Sequence, residues 1–421
     1  MLRLFHKDHR SGFRNFSECR FYGGKSREAE PCFLLWRIIY SIRTMGGWVL
    51  LPFALCGLAL LSGCTPIESA FDGVERGVIS AMIGTPEEVT SVSEDRLAYQ
   101  QLGEEEKPLY DQMLDCILKH EEEVPLSTID AKECDRAFSA MMADYGGLFW
   151  VNGYSYRTYG KGDETIGFVF EPTYTMDRDE RDDTQRRIDN VVEDWLAQLP
   201  EGADDYTKSK FVFETLIDRV DYDKESDNNQ NIISVFLGGA TVCQGYADAT
   251  NYLLQQLAIP SMVVTGEARG IAHAWNLVIL DGDYYYLDTT WGNSMYLNTD
   301  EETVKHINYA YLNITSEELR KTHTIDSKFS MPECVAIADN YFTREGKFFT
   351  DWYEEDIGIA LSNGYYNQEK TVSVKFADME LYNRAKRFYI DDGHLTEYCE
   401  GLDSITYMES TDTCVLTVEY P

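Results

Sequence analysis

The sequence predicts an α+β fold in which a helix that carries a cysteine packs on an antiparallel sheet that carries a histidine and an aspartate. After Cys243, apolar residues recur at helical spacing from Tyr246 to Leu257. Two β-type runs on either side of Asp281 and Gly282 form a strong hairpin signal. Helical and strand patterns also occur before and after this core, so we expect flanking α+β regions.

The composition argues against two broad classes of protein. The chain has 421 residues, of which 44% are hydrophobic and 13% aromatic, far more than a disordered chain carries. It has 72 Asp and Glu against 37 Lys and Arg, a formal net charge of -35. Because phosphate backbones attract basic surfaces, this charge argues against a nucleic-acid partner. A chain of this length has room for two or three domains of roughly 100–200 residues.

The first 63 residues are basic, with 9 Lys and Arg against 4 Asp and Glu. Arg37 and Arg43 precede an apolar run over residues 48–61, which is followed by Ser62, Gly63 and Cys64. This order is typical of a secretory signal peptide. The Ser-Gly-Cys exit also resembles the bacterial lipobox, which implies a lipid on the thiol of Cys64. We therefore expect an exported lipoprotein, anchored in the membrane through Cys64 at the outer face of the cytoplasmic membrane.

Other interpretations of this segment remain open. The run could be a retained transmembrane helix, although it is shorter than the ~20 apolar residues that cross a bilayer. A cytosolic chain is a further alternative. Met45 could also be the true start, but the segment after it has no charged side chain before the apolar run.

The next two parts of the chain are a tether and an α+β region. Residues 64–91 mix Gly, Pro, Ser and Glu without a sustained period, which is typical of a tether. Helical spacing follows up to residue 120, with Gly103 as a break between two helices. Aromatic and β-branched runs between residues 148 and 175 predict two strands.

The rest of the chain is predicted to form the core that carries the candidate site and a small C-terminal α/β domain. Helical patterns fill residues 186–222, just before the candidate site. Beyond residue 330 we expect a strand at 371–376, a helix at 381–390 and strands at 405–408 and 415–420. The predicted parts are 1–63, 64–91, 92–190, 191–329 and 330–421.

Cys243 lies where a nucleophile is expected. Thr241 and Gln244 fit a capping box, which predicts that the helix starts at Thr241 and that Cys243 lies in its first turn. The positive end of the helix dipole and the free N–H groups there favour a thiolate. The same N–H groups can stabilise an oxyanion.

The hairpin predicts that His273 and Asp288 meet. If Asp281 and Gly282 form a two-residue turn, Asp288 lies opposite Trp275. His273 is two residues from Trp275, so alternation places it on the same face of the sheet. An imidazole and a carboxylate can meet across such a diagonal. A three-residue loop would instead send the two side chains to opposite faces.

Three motifs resemble those of a known family. C-Q-G-Y-A at Cys243, H-A-W-N at His273 and L-D-T-T-W around Asp288 resemble the core motifs of the transglutaminase-like superfamily, which has a papain-like fold. The resemblance covers about residues 200–315. It implies Cys243 as nucleophile, His273 as base and Asp288 as the third member of the triad. Gln244, Trp275 and Trp291 are the candidate oxyanion or near-site residues, and we expect both tryptophans to pack around the site.

The predicted function is acyl transfer or hydrolysis at protein or peptide amides through a cysteine thioester. The partner is then a protein or peptide substrate, and cell-wall peptide is one candidate. The alternative is a catalytically inactive envelope module on the same fold, which binds or acts as a scaffold. We expect no cofactor and no metal, because no second Cys/His pair has zinc spacing.

Several other residues are assigned to structural roles. The pairs Cys116/Cys134 and Cys399/Cys414 could each close a short disulfide loop, and reduced buried cysteines are the alternative. The acidic segment 177–183 is predicted to be a solvated loop rather than a calcium site. The histidines without ligand spacing are interpreted as surface residues: His120, His306, His323 and His394.

Overall fold

The computed structural model describes residues 2–8, 25–28, 83–161, 164–293, 306–326 and 329–421. The apolar run and Cys64 lie outside these residues, so export and lipidation stay predictions. Among the described residues, no helix combines the length and apolar character that a membrane span requires. The chain divides into two compact units: Met1–Glu94, Leu102–Met141 and Trp150–Arg178 in the first, and Asp95–Gln101, Met142–Phe149 and Asp179–Pro421 in the second. The five-part division made from the sequence stays a prediction.

The first unit contains both helices and strands: the two strands predicted between residues 148 and 175 are present, whereas the strands at 2–8 and 25–28 were not predicted. In chain order the elements are β1 (Leu2–Asp8), β2 (Lys25–Glu28), α1 (Lys107–Lys119), β3 (Val124–Leu126), α2 (Ala131–Asp144), β4 (Val151–Lys161) and β5 (Glu164–Tyr174). The strands form an antiparallel sheet of order β2-β1-β4-β5-β3. The aromatic rings of Phe138 on α2, Tyr154 on β4 and Phe170 on β5 pack in its core.

The second unit begins with the elements that carry the site. They are α3 (Arg178–Leu196), α4 (Asp205–Arg219), β6 (Asp221–Tyr222), a π-helical turn (Ser234–Gly238), β7 (Ala240–Thr241), α5 (Cys243–Gln256), β8 (Ser261–Ala268), β9 (Ile271–Leu280), β10 (Asp283–Leu287), α6 (Thr289–Gly292), α7 (Ser316–Leu319) and β11 (His323–Ile325). Short 3₁₀ turns cover Tyr99–Gln101 and Tyr309–Tyr311. The main sheet is antiparallel, with order β10-β9-β8-β11.

One predicted loop is a helix. The acidic segment 177–183 was expected to be a solvated loop, but α3 begins at Arg178. Asp179 and Glu180 lie in the first turn of this helix, where the positive end of the helix dipole stabilises negative charge. The same acidic residues that resembled a loop therefore favour the start of a helix.

Helix α5 packs on the sheet through apolar residues and a few buried hydrogen bonds. Leu253 and Leu254 are fully buried, in agreement with the predicted helical face. Asn276 on β9 donates from Nδ2 to the carbonyl of Ala247, at 2.9 Å. The hydroxyls of Thr250 on α5 and Thr289 on α6 are hydrogen bonded at 2.8 Å. Because buried polar groups need such partners, these bonds fix the rotation of α5 relative to the sheet.

The C-terminal part has its own sheet and core. Its elements are α8 (Tyr341–Arg344), β12 (Phe348–Phe349), α9 (Glu354–Tyr366), β13 (Thr371–Phe376), α10 (Met379–Ala385), a π-helical turn (Lys386–Asp391), α11 (Leu395–Tyr398), β14 (Thr406–Ser410) and β15 (Val415–Glu419). The sheet order is β12-β13-β15-β14, and only the β12–β13 pairing of this sheet is parallel. The mixture of helices and antiparallel sheets in the chain confirms the predicted α+β class.

Candidate functional site

Cys243 is the first residue of α5, and its side chain is buried. The predicted capping box is wrong, because the helix is preceded by Val242 rather than started by Thr241. The hydroxyl of Thr241 donates to the carbonyl of Asn229 and accepts from Ser234 instead. Those bonds hold Thr241 in β7, so the helix begins two residues later than expected. The thiol nevertheless lies at the positive end of the helix, where a thiolate is stabilised.

Gly245 lets a neighbouring loop approach the start of α5. A Cβ at this position would lie 2.0 Å from Oγ1 of Thr241 and 3.2 Å from the carbonyl oxygens of Asn229 and Asn231. A Cβ would collide with the Thr241 hydroxyl, which is held by its own hydrogen bonds, and would crowd both carbonyl oxygens. The glycine of the C-Q-G-Y-A motif is therefore required by packing beside Cys243.

His273 and Asp288 meet as the two-residue turn predicted. Asp281 and Gly282 have φ angles of 49° and 91°, which is the left-handed conformation of such a turn. The strands pair from Asp283 opposite Leu280 to Leu287 opposite Asn276. Nε2 of His273 lies 2.8 Å from Oδ2 of Asp288, and each side chain is 1% exposed. Oδ1 of Asp288 accepts the backbone N–H of Trp291, so the carboxylate also caps α6.

The thiol of Cys243 and the imidazole of His273 are close enough to interact, since Cys243 is one of the groups that raise the pKa of His273. Because Nε2 of His273 bonds to Asp288, the ring nitrogen left for the thiol is Nδ1. Burial lowers the pKa of His273, but Asp288 and Cys243 more than offset this and raise it to about 10. Burial raises the pKa of Asp288, but His273 and His323 outweigh it and hold that pKa below its usual range. At neutral pH the pair is therefore an imidazolium and a carboxylate.

The prediction that His323 lies on the surface is wrong. Its side chain is 0% exposed, and its Nε2 lies 3.0 Å from Oδ2 of Asp288, the same oxygen that His273 contacts. The other ring nitrogen, Nδ1, is 2.8 Å from Oγ1 of Thr322. Strand β11 brings His323 into the sheet by pairing it with Ala268. A strand of three residues is too short to show an alternating pattern, so the sequence held no local signal for this contact.

Aromatic rings enclose the two imidazoles. Trp275 is 1% exposed, and its ring stacks on His273 with centroids 5.9 Å apart. Trp291 is 3% exposed and lies edge-on to His273 at 6.2 Å. The guanidinium of Arg269 covers the ring of Trp291 at 5.2 Å. Both tryptophans thus pack around the site and keep water from the carboxylate.

The Gln244 side chain is held along the helix. Its Nε2 donates to Oδ1 of Asp248 at 3.0 Å. Burial raises the pKa of Asp248 well above its usual range, and only the bond from Gln244 opposes this. One amide proton of Gln244 is therefore already used, and its oxyanion role stays a prediction.

Among the described residues, one cluster has the composition of a metal site: His273, Asp288 and His323, whose ligand atoms lie within 4.8 Å of one another. In a tetrahedral zinc site, ligand atoms at about 2.1 Å from the ion lie roughly 3.4 Å apart. The two N–O distances here are 2.8 and 3.0 Å, which are those of direct hydrogen bonds. We therefore treat the cluster as a hydrogen-bonded network.

The thiols of the described residues are all buried, and none of them forms a disulfide. Six cysteines are free and buried: Cys116, Cys134, Cys243, Cys334, Cys399 and Cys414. Of the two alternatives left by the sequence, the structure shows reduced cysteines rather than disulfides. Burial raises the pKa of Cys116 to about 12 and that of Cys334 to about 11. These thiols are therefore protonated at neutral pH.

Comparisons with known proteins concern this core. Among the curated proteins, none matches the chain. One similar solved structure is described as a TGase (12% identity, 43% of this chain, 53% of that chain, TM-score 0.25). A second is a proposed cysteine protease from Cytophaga hutchinsonii (18% identity, 33% of this chain, 58% of that chain, TM-score 0.23). A third is a proposed protease from Parabacteroides distasonis (13% identity, 30% of this chain, 29% of that chain, TM-score 0.21). The chain spans less than two thirds of the length of each of these structures.

A family model matches the centre of the chain. The transglutaminase-like superfamily model aligns with residues 194–289, which include Cys243, His273 and Asp288. This segment runs from the end of α3 to the start of α6 and contains the cysteine helix and most of the main sheet. The resemblance stated from the three motifs is thereby confirmed, and the central part of this chain is a transglutaminase-like core.

Proposed function

We propose that this chain is a thiol enzyme that transfers or hydrolyses acyl groups at protein or peptide amides through a thioester on Cys243. One observation carries the proposal: the thiol at the start of α5 faces His273, which is hydrogen bonded to a buried carboxylate at 2.8 Å. A nucleophile, a base and an orienting group in this order are the requirements of covalent acyl transfer.

The reaction follows from the roles of these groups. The sulfur of Cys243 attacks the amide carbon, and the C=O electrons form an oxyanion near the N–H groups at the start of α5. His273 donates the proton on Nδ1 to the amide nitrogen, so the C–N bond breaks and ammonia or an amine leaves. His273 then accepts a proton from water or a primary amine as it attacks the thioester. The C–S bond breaks, and the products are the acid or a new amide and the free thiol.

Iodoacetamide labelling of the full chain, mapped by peptide mass spectrometry, tests this proposal. Cys243 is expected to react far faster than the other thiols at neutral pH, because His273 lies beside it as the base that can take its proton. Its matched control is Cys334, since the two residues are similarly buried, at 4% and 1% exposure. In a His273→Ala variant the labelling of Cys243 is expected to slow roughly 10-fold or more. Equal, slow labelling of both thiols would instead favour an inactive binding module.

We also propose that the protein is exported and anchored by a lipid on Cys64. The support is the order of basic residues, apolar run and Ser-Gly-Cys in the sequence. The substrate would then be a protein or peptide outside the cytoplasmic membrane, with cell-wall peptide as one candidate.

Metabolic labelling with a radioactive fatty acid in a bacterial host tests the anchor. The wild-type chain is expected to incorporate label and sediment with membranes, and a Cys64→Ser variant is expected to lose the label. Cys56 lies within the apolar run, so Cys56→Ser is the matched control and should keep the label. Label retained by Cys64→Ser, or absent from the wild type, would contradict the proposed anchor.

A further inference from the structure

We infer that His323 is a positioning residue for the reaction proposed above: it holds the carboxylate of Asp288 through a second imidazole while His273 handles the reacting proton. The inference rests on the proposed function, and it extends the predicted triad by a residue that does not touch the thiol. It is carried by the contacts of His323 with Asp288 and Thr322, and by the rings that surround it.

The carboxylate of Asp288 is fixed by three donors. The backbone N–H of Trp291 bonds to Oδ1 at 3.0 Å. Nε2 of His273 and Nε2 of His323 both contact Oδ2, at 2.8 and 3.0 Å. A carboxylate oxygen can accept two such bonds through its two lone pairs. Removal of His323 therefore leaves one lone pair of a buried anion without a donor, and frees the carboxylate to move.

The hydrogen bonds assign different roles to the two histidines. Nδ1 of His323 can accept the proton of the Thr322 hydroxyl at 2.8 Å, while its Nε2–H donates to Asp288. In this arrangement both ring nitrogens of His323 have a hydrogen-bond partner. His273 donates from Nε2 to the same oxygen, and its Nδ1 is left to exchange a proton with Cys243. His323 thus orients the carboxylate, while proton exchange with the thiol falls to His273.

The surroundings of His323 hold its ring in place. Trp291 and Trp275 lie against it with centroid distances of 4.9 and 5.0 Å, and Tyr311 at 5.9 Å. Gly266 on β8 makes room for this packing, because a Cβ there would lie 2.9 Å from the Trp275 ring and 2.0 Å from the carbonyl oxygen of Thr324. A ring packed in this way can fix the position of Oδ2.

Because His273 and His323 contact the same oxygen of Asp288, His323 also weakens the effect of Asp288 on the pKa of His273. A hydrogen bond from His323 withdraws part of the negative charge that stabilises the imidazolium of His273. Without His323, the imidazolium is expected to hold its proton to a higher pH. The other ionisable groups near the network are Cys243 on α5, Tyr311 and Arg269, and none of these changes in the variants that we suggest.

The experiment compares His323→Phe, which keeps a ring but has no donor, with His323→Gln, which keeps a side-chain N–H. With an amide substrate, His323→Phe is expected to lower kcat roughly 10-fold with little change in KM, as loss of an outer hydrogen-bond partner does. The alkaline limb of its pH profile should move up by roughly half a pH unit. His323→Gln should restore most of the activity and the wild-type limb. The imidazole N–H resonance of His273 in the NMR spectrum should shift in His323→Phe only.

Three outcomes would overturn the inference. In the first, His323→Phe shows the wild-type pH profile and an unchanged His273 resonance. In the second, His323→Gln is as impaired as His323→Phe, which would indicate a packing role alone. In the third, Cys243 of the wild type is inert to iodoacetamide, which overturns the proposed function as well. A reactive wild-type thiol therefore separates failure of the inference from failure of the function.

Discussion

Replacement of Cys243 with alanine is expected to abolish amide turnover, with kcat reduced by roughly 10⁴-fold or more. The reason is that the described residues place no other thiol beside His273, and burial raises the pKa of Cys116 and Cys334. Turnover is measured as incorporation of a fluorescent primary amine into a casein substrate and as release of ammonia from the same protein. The first assay detects crosslinking chemistry, and the second detects deamidation.

The matched control for this variant is Cys334→Ala. Cys334 is as buried as Cys243, so both substitutions remove one buried sulfur of the same size. We expect Cys334→Ala to keep wild-type turnover and both variants to keep the circular dichroism spectrum of the wild type. Equal loss of activity in the two variants would indicate a folding defect, and turnover retained by Cys243→Ala would rule out the thioester.

The meeting of His273 and Asp288 could be predicted because a local signal fixes a distant contact. Asp281 and Gly282 can both adopt positive φ, so they favour a two-residue turn. That turn sets the register of every pair in the hairpin, and the alternation of side chains then decides which residues share a face. The helical face of α5 could be predicted for a similar reason, since its apolar residues repeat within a single element.

The features that the sequence does not predict depend on partners that are distant along the chain. Thr241 does not cap α5 because its hydroxyl bonds to Asn229, which lies in a loop before β7. His323 reaches Asp288 from a three-residue strand, and it lies 35 residues further along the chain. Neither partner can be inferred from spacing, because no turn of known geometry links it to the site. The absence of ligand spacing therefore predicted a surface position for His323, whose side chain is completely buried.

Replacement of Asp288 with alanine is expected to reduce both activity and stability. Without the carboxylate, His273 loses the group that orients it, and kcat should fall roughly 10²-fold to 10⁴-fold. Two buried imidazoles and the N–H of Trp291 would also lose their acceptor. Removal of one partner from a buried charged network costs about 3 kcal/mol or more in the free energy of unfolding. Urea unfolding measures that cost, and the amine-incorporation assay measures the activity.

The control is Asp288→Asn, which keeps the shape and one acceptor oxygen but not the negative charge. It should unfold at a urea concentration between those of the wild type and Asp288→Ala, since the oxygen can still accept N–H bonds. If Asp288→Ala were as stable as the wild type, the hydrogen-bonded network would contribute nothing to folding. If Asp288→Asn matched the wild type in activity, the negative charge would not be needed to orient His273.

The pH dependence of this stability loss follows from the pKa shifts. The raised pKa of His273 means that its stabilisation is complete below its unfolded pKa of about 6.5 and is lost as the pH rises through about 10. The lowered pKa of Asp288 means that its stabilisation is complete above about pH 4 and is lost at more acidic pH. The stability difference between wild type and Asp288→Ala should therefore be largest between about pH 4 and 6.5, and shrink towards about pH 10. Titrations of groups that do not interact with Asp288 cancel in that difference, because both proteins share them in the same surroundings. A difference that stays constant over this alkaline range would contradict an imidazolium and carboxylate pair, and would leave neutral hydrogen bonds as the source of the stability.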